Sequence, residues 1–380
     1  MKILHVAPYF YDAWAYGGIP RLAFHLAAAQ AAAGHKVDAV TTDACDATHR
    51  LPGGDYEREG VRVRVYRNLS NSLAYRLQLF TPTKISAERG RVRDYDVIHV
   101  HGHRNFLNSA MIRFAHQART PVVLMPNGTF VNIERRTLLK SAYDWLLSDA
   151  EAGMASGFVA VAEAEHDQMT GLGLDSTRIR VIPNGVEMEC DTFGRSFKRE
   201  FGITGDYILY LGKITPRKGI DVLIRALPLL QDREIMLAVV GNDMGYQAHL
   251  GALARRLGVA ERVKFTGLVT GGLKAAAYAE ARVTVYAGRD EIFGLVPWES
   301  ILCGTPVIVA DDCGCGEWVM GAEAGQSAPY GDPAALARAI EDRDPERDRA
   351  AVERGRAFCR ERFSWSRISD EMVEYYRSLA

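Results

Sequence analysis

Short apolar runs alternate with stretches of helical spacing along the whole chain, a rhythm that specifies parallel strands joined by right-handed crossovers. In the first half the expected strands are Ile3 to Ala7, Val37 to Thr41, Val61 to Tyr66, Val97 to His101, Val122 to Met125, Phe158 to Val161 and Arg180 to Ile182. In the second they are Ile208 to Leu211, Met236 to Val240, Val263 to Phe265, Val283 to Tyr286 and Val307 to Val309. The pattern predicts an α/β fold of two Rossmann-like, doubly wound parallel sheets. A turn signal at Pro183-Asn184-Gly185 and the polar stretch that follows it set the boundary, giving domains 1–186 and 187–362. From Trp365 to Leu379 apolar and charged residues alternate at helical spacing, so residues 363–380 are expected to form a helix that packs back on the first domain. Such sheets bind ligands at the carboxyl ends of their strands, and two facing sheets place the site in the cleft between the domains.

Length and composition support this organisation: 380 residues exceed the size at which one core usually keeps growing, and 48% hydrophobic with 24% charged residues is ordinary for a globular protein. Lys plus Arg number 46 against 47 for Asp plus Glu, so global charge gives no reason to expect nucleic acid as a partner. Charge is uneven only from Arg58 to Arg93, where nine basic residues face two acids, Glu59 and Glu88. That segment reads as a solvated face, or alternatively as a contact for an anionic membrane or a phosphorylated acceptor. Six scattered cysteines follow no secreted framework, Met1 to Val6 reads as a strand instead of a signal peptide, and no apolar run reaches the length of a membrane span. Cytoplasmic residence is expected, with peripheral contact at the inner membrane face as the extension of the basic-segment reading.

Candidate chemistry concentrates in the second half. Glu291 and Glu299 are eight positions apart, flanking Phe293, Gly294 and Leu295. If helix begins near Pro297, Glu291 lies in the loop before it and Glu299 in its first turn, both facing one cleft. The amides of Phe293, Gly294 and Leu295, with the helix's positive end, can then meet an anion. Upstream, Lys213 and Lys218 sit in a glycine-containing segment between a strand and a helix, where compact cations suit phosphate. Arg217 beside them reads as a surface residue. Near the start of the chain Gly17, Gly18 and Arg21 open an alanine-rich helix, a second place for close backbone approach. No G-x-G-x-x-G follows any strand, which argues against a nicotinamide or flavin enzyme.

His99, His101 and His103 alternate and so share one strand face. Three ligands on one straight strand rarely converge on zinc; His99 is read as a core residue, and His101 and His103 as sugar or acceptor contacts. Asp94 and Asp96 form a D-x-D at the wrong strand end for metal binding, and Cys313 with Cys315 lacks the second pair that a metal site needs.

The stretch from Glu291 to Glu299, continuing into Cys303-Gly304-Thr305-Pro306, resembles the E-x7-E motif of family 4 glycosyltransferases. Lys213 to Gly219 is similar to the same family's G-R-x4-K-G phosphate motif, with Lys213 in place of the usual Arg. The resemblance runs from Gly17-Gly18 to Phe363 and Trp365 and implies a GT-B fold. It implies transfer of a sugar from a nucleotide-diphosphate-sugar donor to a hydroxyl acceptor, with retention of anomeric configuration and no metal or other cofactor. It places Lys213, Lys218, Gly18 and the Phe293 to Leu295 amides on the donor, Glu299 on its ribose and Glu291 on its sugar. Arg21, His101 and His103 are assigned to the acceptor or sugar. Asn127 stands where many relatives carry a histidine that bonds the transferred sugar; an amide can still bond a hydroxyl but cannot exchange a proton near neutral pH. A sugar-nucleotide epimerase on the same architecture and a non-catalytic sugar-nucleotide-binding protein are the alternative readings.

Overall fold

The structure is a computed structural model that describes residues 1–46, 48–77, 79–130, 149–312 and 314–379. It divides into two compact units, Met1–Gly185 together with Trp365–Ala380, and Val186–Ser364. Cys313, half of the cysteine pair singled out above, and the side chain of Arg76 in the basic segment lie outside the described residues.

The first unit carries β1 (Lys2–Val6), β2 (Lys36–Thr42), β3 (Gly54–Arg58), β4 (Val61–Tyr66), β5 (Val97–His101), β6 (Val122–Met125), β7 (Gly157–Ala160) and β8 (Ile179–Val181). They form one sheet in the order β3-β4-β2-β1-β5-β6-β7-β8, parallel except for the antiparallel β3–β4 pair. Every residue of β5, β6 and β7 is buried, as strands covered on both faces require, which is why β6 and β7 read as continuous apolar runs and even the two histidines of β5 are enclosed. The edge strand β3 escapes that pattern. Its residues are polar and mostly exposed, and what folds it back is a two-residue turn with both central residues at positive φ, Glu59 at 49° and Gly60 at 76°.

The second unit carries β9 (Tyr207–Leu211), β10 (Met236–Val240), β11 (Val263–Gly267), β12 (Val283–Tyr286), β13 (Val307–Ala310) and β14 (Gln326–Ala328) in the order β11-β10-β9-β12-β13-β14, all parallel. Its core sets Ile208, Leu237, Val239, Val283 and Val285 of the sheet against Ile220, Leu223 and Ile224 of the helix Ile220–Ala226. In each sheet the chain winds outward in both directions from a central pair, β1 beside β5 and β9 beside β12. The loops leaving those pairs diverge and open a crevice at the strands' carboxyl ends.

The helix Trp365–Ser378 completes the first unit. It buries Ile368, Met372, Val373, Tyr375 and Tyr376. The Phe158 N–H donates to Tyr375 Oη at 3.0 Å, and that hydroxyl donates to the Arg178 carbonyl at 2.7 Å. A Cβ on Gly157 would stand 2.1 Å from the same hydroxyl, so the contact requires glycine.

The basic segment is not one continuous cationic face. Arg64 is only 4% exposed and lies against Glu88 and Asp38, each at 2.9 Å, with Tyr95 Oη at 3.0 Å. Burial pushes the Glu88 carboxyl up, but Arg64, Tyr66 and Arg91 together hold it below the usual range. Arg58 lies over the Tyr11 ring at 3.9 Å. The segment from Arg58 to Arg93 therefore loses Arg64 to the interior, because an arginine on the covered face of β4 needs acids beside it to neutralise it. Among the described residues no helix is long and apolar enough to cross a membrane.

Candidate active site

The crevice of the second sheet holds the main cluster. After β9 the chain passes Gly212 and the half-buried Lys213, makes a single turn at Pro216–Lys218, and enters the next helix through Gly219 at φ 67°. A Cβ on Gly219 would lie 2.0 Å from the Ala287 carbonyl oxygen, so the loop after β9 presses directly on the loop after β12. That contact brings Lys218 to Glu291. Lys218 Nζ is 2.6 Å from Glu291 Oε1 and 3.1 Å from Tyr286 Oη, whose hydroxyl donates to Glu291 Oε2 at 2.6 Å. Arg217, expected at the surface, instead turns inward: Nη2 is 3.4 Å from Glu291 Oε1 and Nη1 donates to the Asp290 carbonyl at 3.1 Å. Burial raises the Glu291 carboxyl, but Lys218 and Arg217 outweigh it and hold the group below the usual carboxylate range. Gly219→Ala should lower the melting temperature by several degrees, since the left-handed backbone alone costs about 1 kcal/mol and the carbonyl overlap adds to it; an unchanged melting curve would contradict this packing.

Glu299 occupies a second pocket of the same unit. The helix begins at Leu295, earlier than the expected start near Pro297, because Gly294 at φ 67° lets it start at once. Glu299 thus lies in the second turn, 5% exposed, with Lys274 Nζ 2.7 Å from Oε1 and the Tyr278 hydroxyl 2.7 Å from Oε2. Phe293 is buried against Phe363, while the amides at the helix start have no carbonyl one turn earlier to bond.

In the first unit Gly18 opens the helix Gly18–Ala32, which has no acid in its first turn, and the Arg21 guanidinium lies 5.4 Å over the Trp14 ring. Asn127 follows β6 at φ 53°, a left-handed value that asparagine tolerates. Its Oδ1 accepts from Asn184 Nδ2 at 3.2 Å. The next amide, Gly128 N–H, donates at 2.5 Å to Glu165 Oε1, whose other oxygen accepts from Val161 N–H at 2.8 Å. Glu165 is 1% exposed, and burial pushes its carboxyl up to about 7 despite those two amides. This carboxylate, invisible in the sequence, ties the Asn127 loop to the end of β7.

His101 and His103 do not present themselves to a ligand. His101 is 1% exposed and joins His5 and His99 in a buried cluster, since β1 and β5 pair with His5 opposite His99. With Gln30 Oε1 facing His5 Nε2 at 2.7 Å, the remaining His5 nitrogen accepts from His101 Nε2–H at 2.8 Å. Gln30 Nε2 donates to Tyr376 Oη at 3.3 Å, and that hydroxyl is bonded to His99 Nδ1. Ligand atoms of the three imidazoles lie within 4.8 Å of one another. Their ring planes, however, differ by only 18–21°, so lone pairs that lie in those planes do not converge as a tetrahedral ion requires. His103 folds elsewhere, stacked on Phe130 and 3.7 Å from the buried Glu151.

Residues 16–189 match the model described as Glycosyltransferase Family 4, and residues 195–358 match Glycosyl transferases group 1. The phosphatidyl-myo-inositol mannosyltransferase of Mycobacterium leprae is 30% identical over 100% of this chain and 97% of its own. This chain belongs to the family 4 glycosyltransferases. It is accordingly a glycosyltransferase enzyme. A D-inositol 3-phosphate glycosyltransferase of Acidothermus cellulolyticus is also 30% identical, over 81% of this chain and 72% of its own. The fold is GT-B: HepE of Anabaena, solved with UDP and glucose, superposes with a TM-score of 0.75 at 20% identity over the whole of both chains. The catalytic domain of starch synthase IV from Arabidopsis thaliana, bound to ADP and acarbose, gives 0.75 at 13% identity over 99% of each.

Within this family 4 enzyme, the structure brings Lys218 and Glu291 together and places Lys213, Phe293, Gly294, Leu295 and Glu299 in the same unit. Tyr286, Lys274 and Tyr278 were missed in the sequence, and Arg217 was read as a surface residue. Lys274 and Tyr278 could have been found by spacing alone, since residues four apart share a helix face.

Proposed function

We propose that this glycosyltransferase takes its sugar from a nucleoside-diphosphate sugar, delivers it to a hydroxyl acceptor and retains the anomeric configuration. The observation that carries the reading is the 2.6 Å approach of Lys218 to Glu291 at the carboxyl ends of β9 and β12. A glycosyl phosphate joins an anion to a sugar through one bond, and the site supplies a cation for the first beside a carboxylate for the hydroxyls of the second. As that bond breaks, negative charge grows on the departing phosphate, where Lys218, Lys213 and the amides of Phe293, Gly294 and Leu295 offset it. With those cations and a helix N-terminus in place, no divalent ion is needed. Glu299 takes the ribose hydroxyls.

In the first unit, Gly18 and Arg21 face donor or acceptor, and Asn127 bonds the transferred sugar. Asn127 cannot act as a proton acceptor, so the leaving phosphate itself takes the acceptor hydroxyl's proton. UDP, GDP, ADP and TDP sugars supply the test by thermal shift, because a ligand at a hundred times its Kd stabilises the native state by about 2.7 kcal/mol. One nucleotide series should raise the melting temperature, with free nucleoside diphosphate released only when an acceptor is added. No shift with any of them would overturn the reading, and donor interconversion without acceptor would favour an epimerase.

A further inference from the structure

We infer that Lys274 and Tyr278 are positioning residues that hold the Glu299 carboxyl group oriented for a vicinal diol, the two ribose hydroxyls of the nucleotide. This rests on the donor reading above and adds to it how ribose is told from deoxyribose.

The two residues are four apart on the helix Gly271–Ala279, which puts their side chains on one face. Each grips a different oxygen of Glu299 at 2.7 Å, so the plane of the carboxylate is set from one side by a cation and a hydroxyl. A carboxylate offers about four acceptor positions, and one with its plane fixed presents its oxygens as a pair, matching two neighbouring hydroxyls. Tyr278 is itself anchored, for its carbonyl accepts from Thr305 Oγ1 at 2.5 Å. The pair is nearly dry, Lys274 being 6% and Glu299 5% exposed. A buried ion pair is a poor source of stability, since desolvation offsets much of the attraction. An apolar pair would pack the same space, whereas a cation and a hydroxyl together fix the plane of the acid.

Other titratable groups lie near Glu299. Just past the end of its own helix comes the Cys303 thiol, which its neighbour Cys190 and then burial raise far above the usual range, and from the segment ahead of β9 comes Cys190. From the helix Pro345–Arg362, Arg356 is occupied with the Ile301 and Leu302 carbonyls at 3.1–3.2 Å and with Glu353. Lys274 Nζ, by contrast, reaches the carboxylate directly, at 2.7 Å.

The experiment is calorimetric titration of UDP, GDP and ADP, each with its 2′-deoxy counterpart, into the whole chain and into Lys274→Met. The unsubstituted protein should prefer its ribonucleotide about tenfold, the worth of a hydrogen bond to a charged group. In Lys274→Met the preference should fall toward unity. A general loss of fold weakens both nucleotides alike and leaves their ratio unchanged. Retention of the full ratio would refute the assignment; if Lys274→Met does not fold, Tyr278→Phe decides it by the same ratio. Failure of the unsubstituted protein to bind any nucleotide would instead remove the donor reading, and this assignment with it.

Discussion

Replacing Lys218 by alanine should slow donor turnover by about two to three orders of magnitude, the usual cost of deleting one preorganised donor at a developing anion. The loss is expected in kcat, because charge on the departing phosphate is greater in the transition state than in the bound donor. Geometry adds to it. Lys218 is the nearest cation to Glu291, and its removal leaves a buried carboxylate against Arg217 at 3.4 Å and the Tyr286 hydroxyl at 2.6 Å. Lys218→Arg keeps the charge but cannot place a compact ammonium between Glu291 and Tyr286, so it should recover only part of the rate. Release of nucleoside diphosphate with time is the measurement. A Lys218→Ala enzyme within threefold of the parent would show that the phosphate is met elsewhere.

Mild acid should destabilise the first unit steeply, and the cause lies in the buried histidines. Burial lowers His5 from the ordinary 6.5 to about 4, the Gln30 bond opposing it, and carries His99 and His101 well below 6.5. For a base whose folded value is lowered, the unfolded chain binds protons first. Stability is therefore intact above 6.5 and is lost as pH falls from there toward about 4. His5 alone accounts for about 3 kcal/mol across that window. Glu165 works in the opposite sense: its value is raised to about 7, so the fold favours the neutral acid and gains as pH falls from 7 toward 4.5. One carboxyl offsets about one histidine of three, and the net effect remains a loss. Denaturant midpoints measured between neutrality and mild acid should fall, and His99→Phe should flatten that slope whatever it does to the midpoint at neutral pH. An unchanged slope in His99→Phe would place the acid sensitivity elsewhere.

The parallel strands were legible because burial on both faces leaves an unbroken apolar run, as in Val122 to Met125 and Phe158 to Val161. The edge strands β3 and β14 were not, since Gly54–Arg58 and Gln326–Ala328 are short and polar and owe their pairing to a turn or to a neighbour. At the site, Glu291, Glu299 and Lys218 could be singled out because charge is rare in an apolar, glycine-bearing stretch. What such a stretch does not state is which charges meet. Arg217 and Lys218 are adjacent in sequence and equally basic, and only the close approach of Gly219 to Ala287 turns both toward Glu291. The reading of His101 as a ligand contact erred for a related reason: it shares a face with the core residue His99, and the helix that covers that face comes from residues more than 250 positions away.

The same helix has a consequence for biosynthesis. Tyr375, Tyr376 and Trp365 leave the ribosome only after all of Val186–Ser364 has been made, yet their partners Phe158, Gln30 and Gly185 belong to the portion translated first. Domains generally fold in the order of their emergence, but here the leading one must wait, with the flank of Gly18–Ala32 wetted and imidazole-lined, until translation has passed through its successor. Nascent chains halted before Trp365 should carry that flank uncovered, as a surface for chaperones to hold.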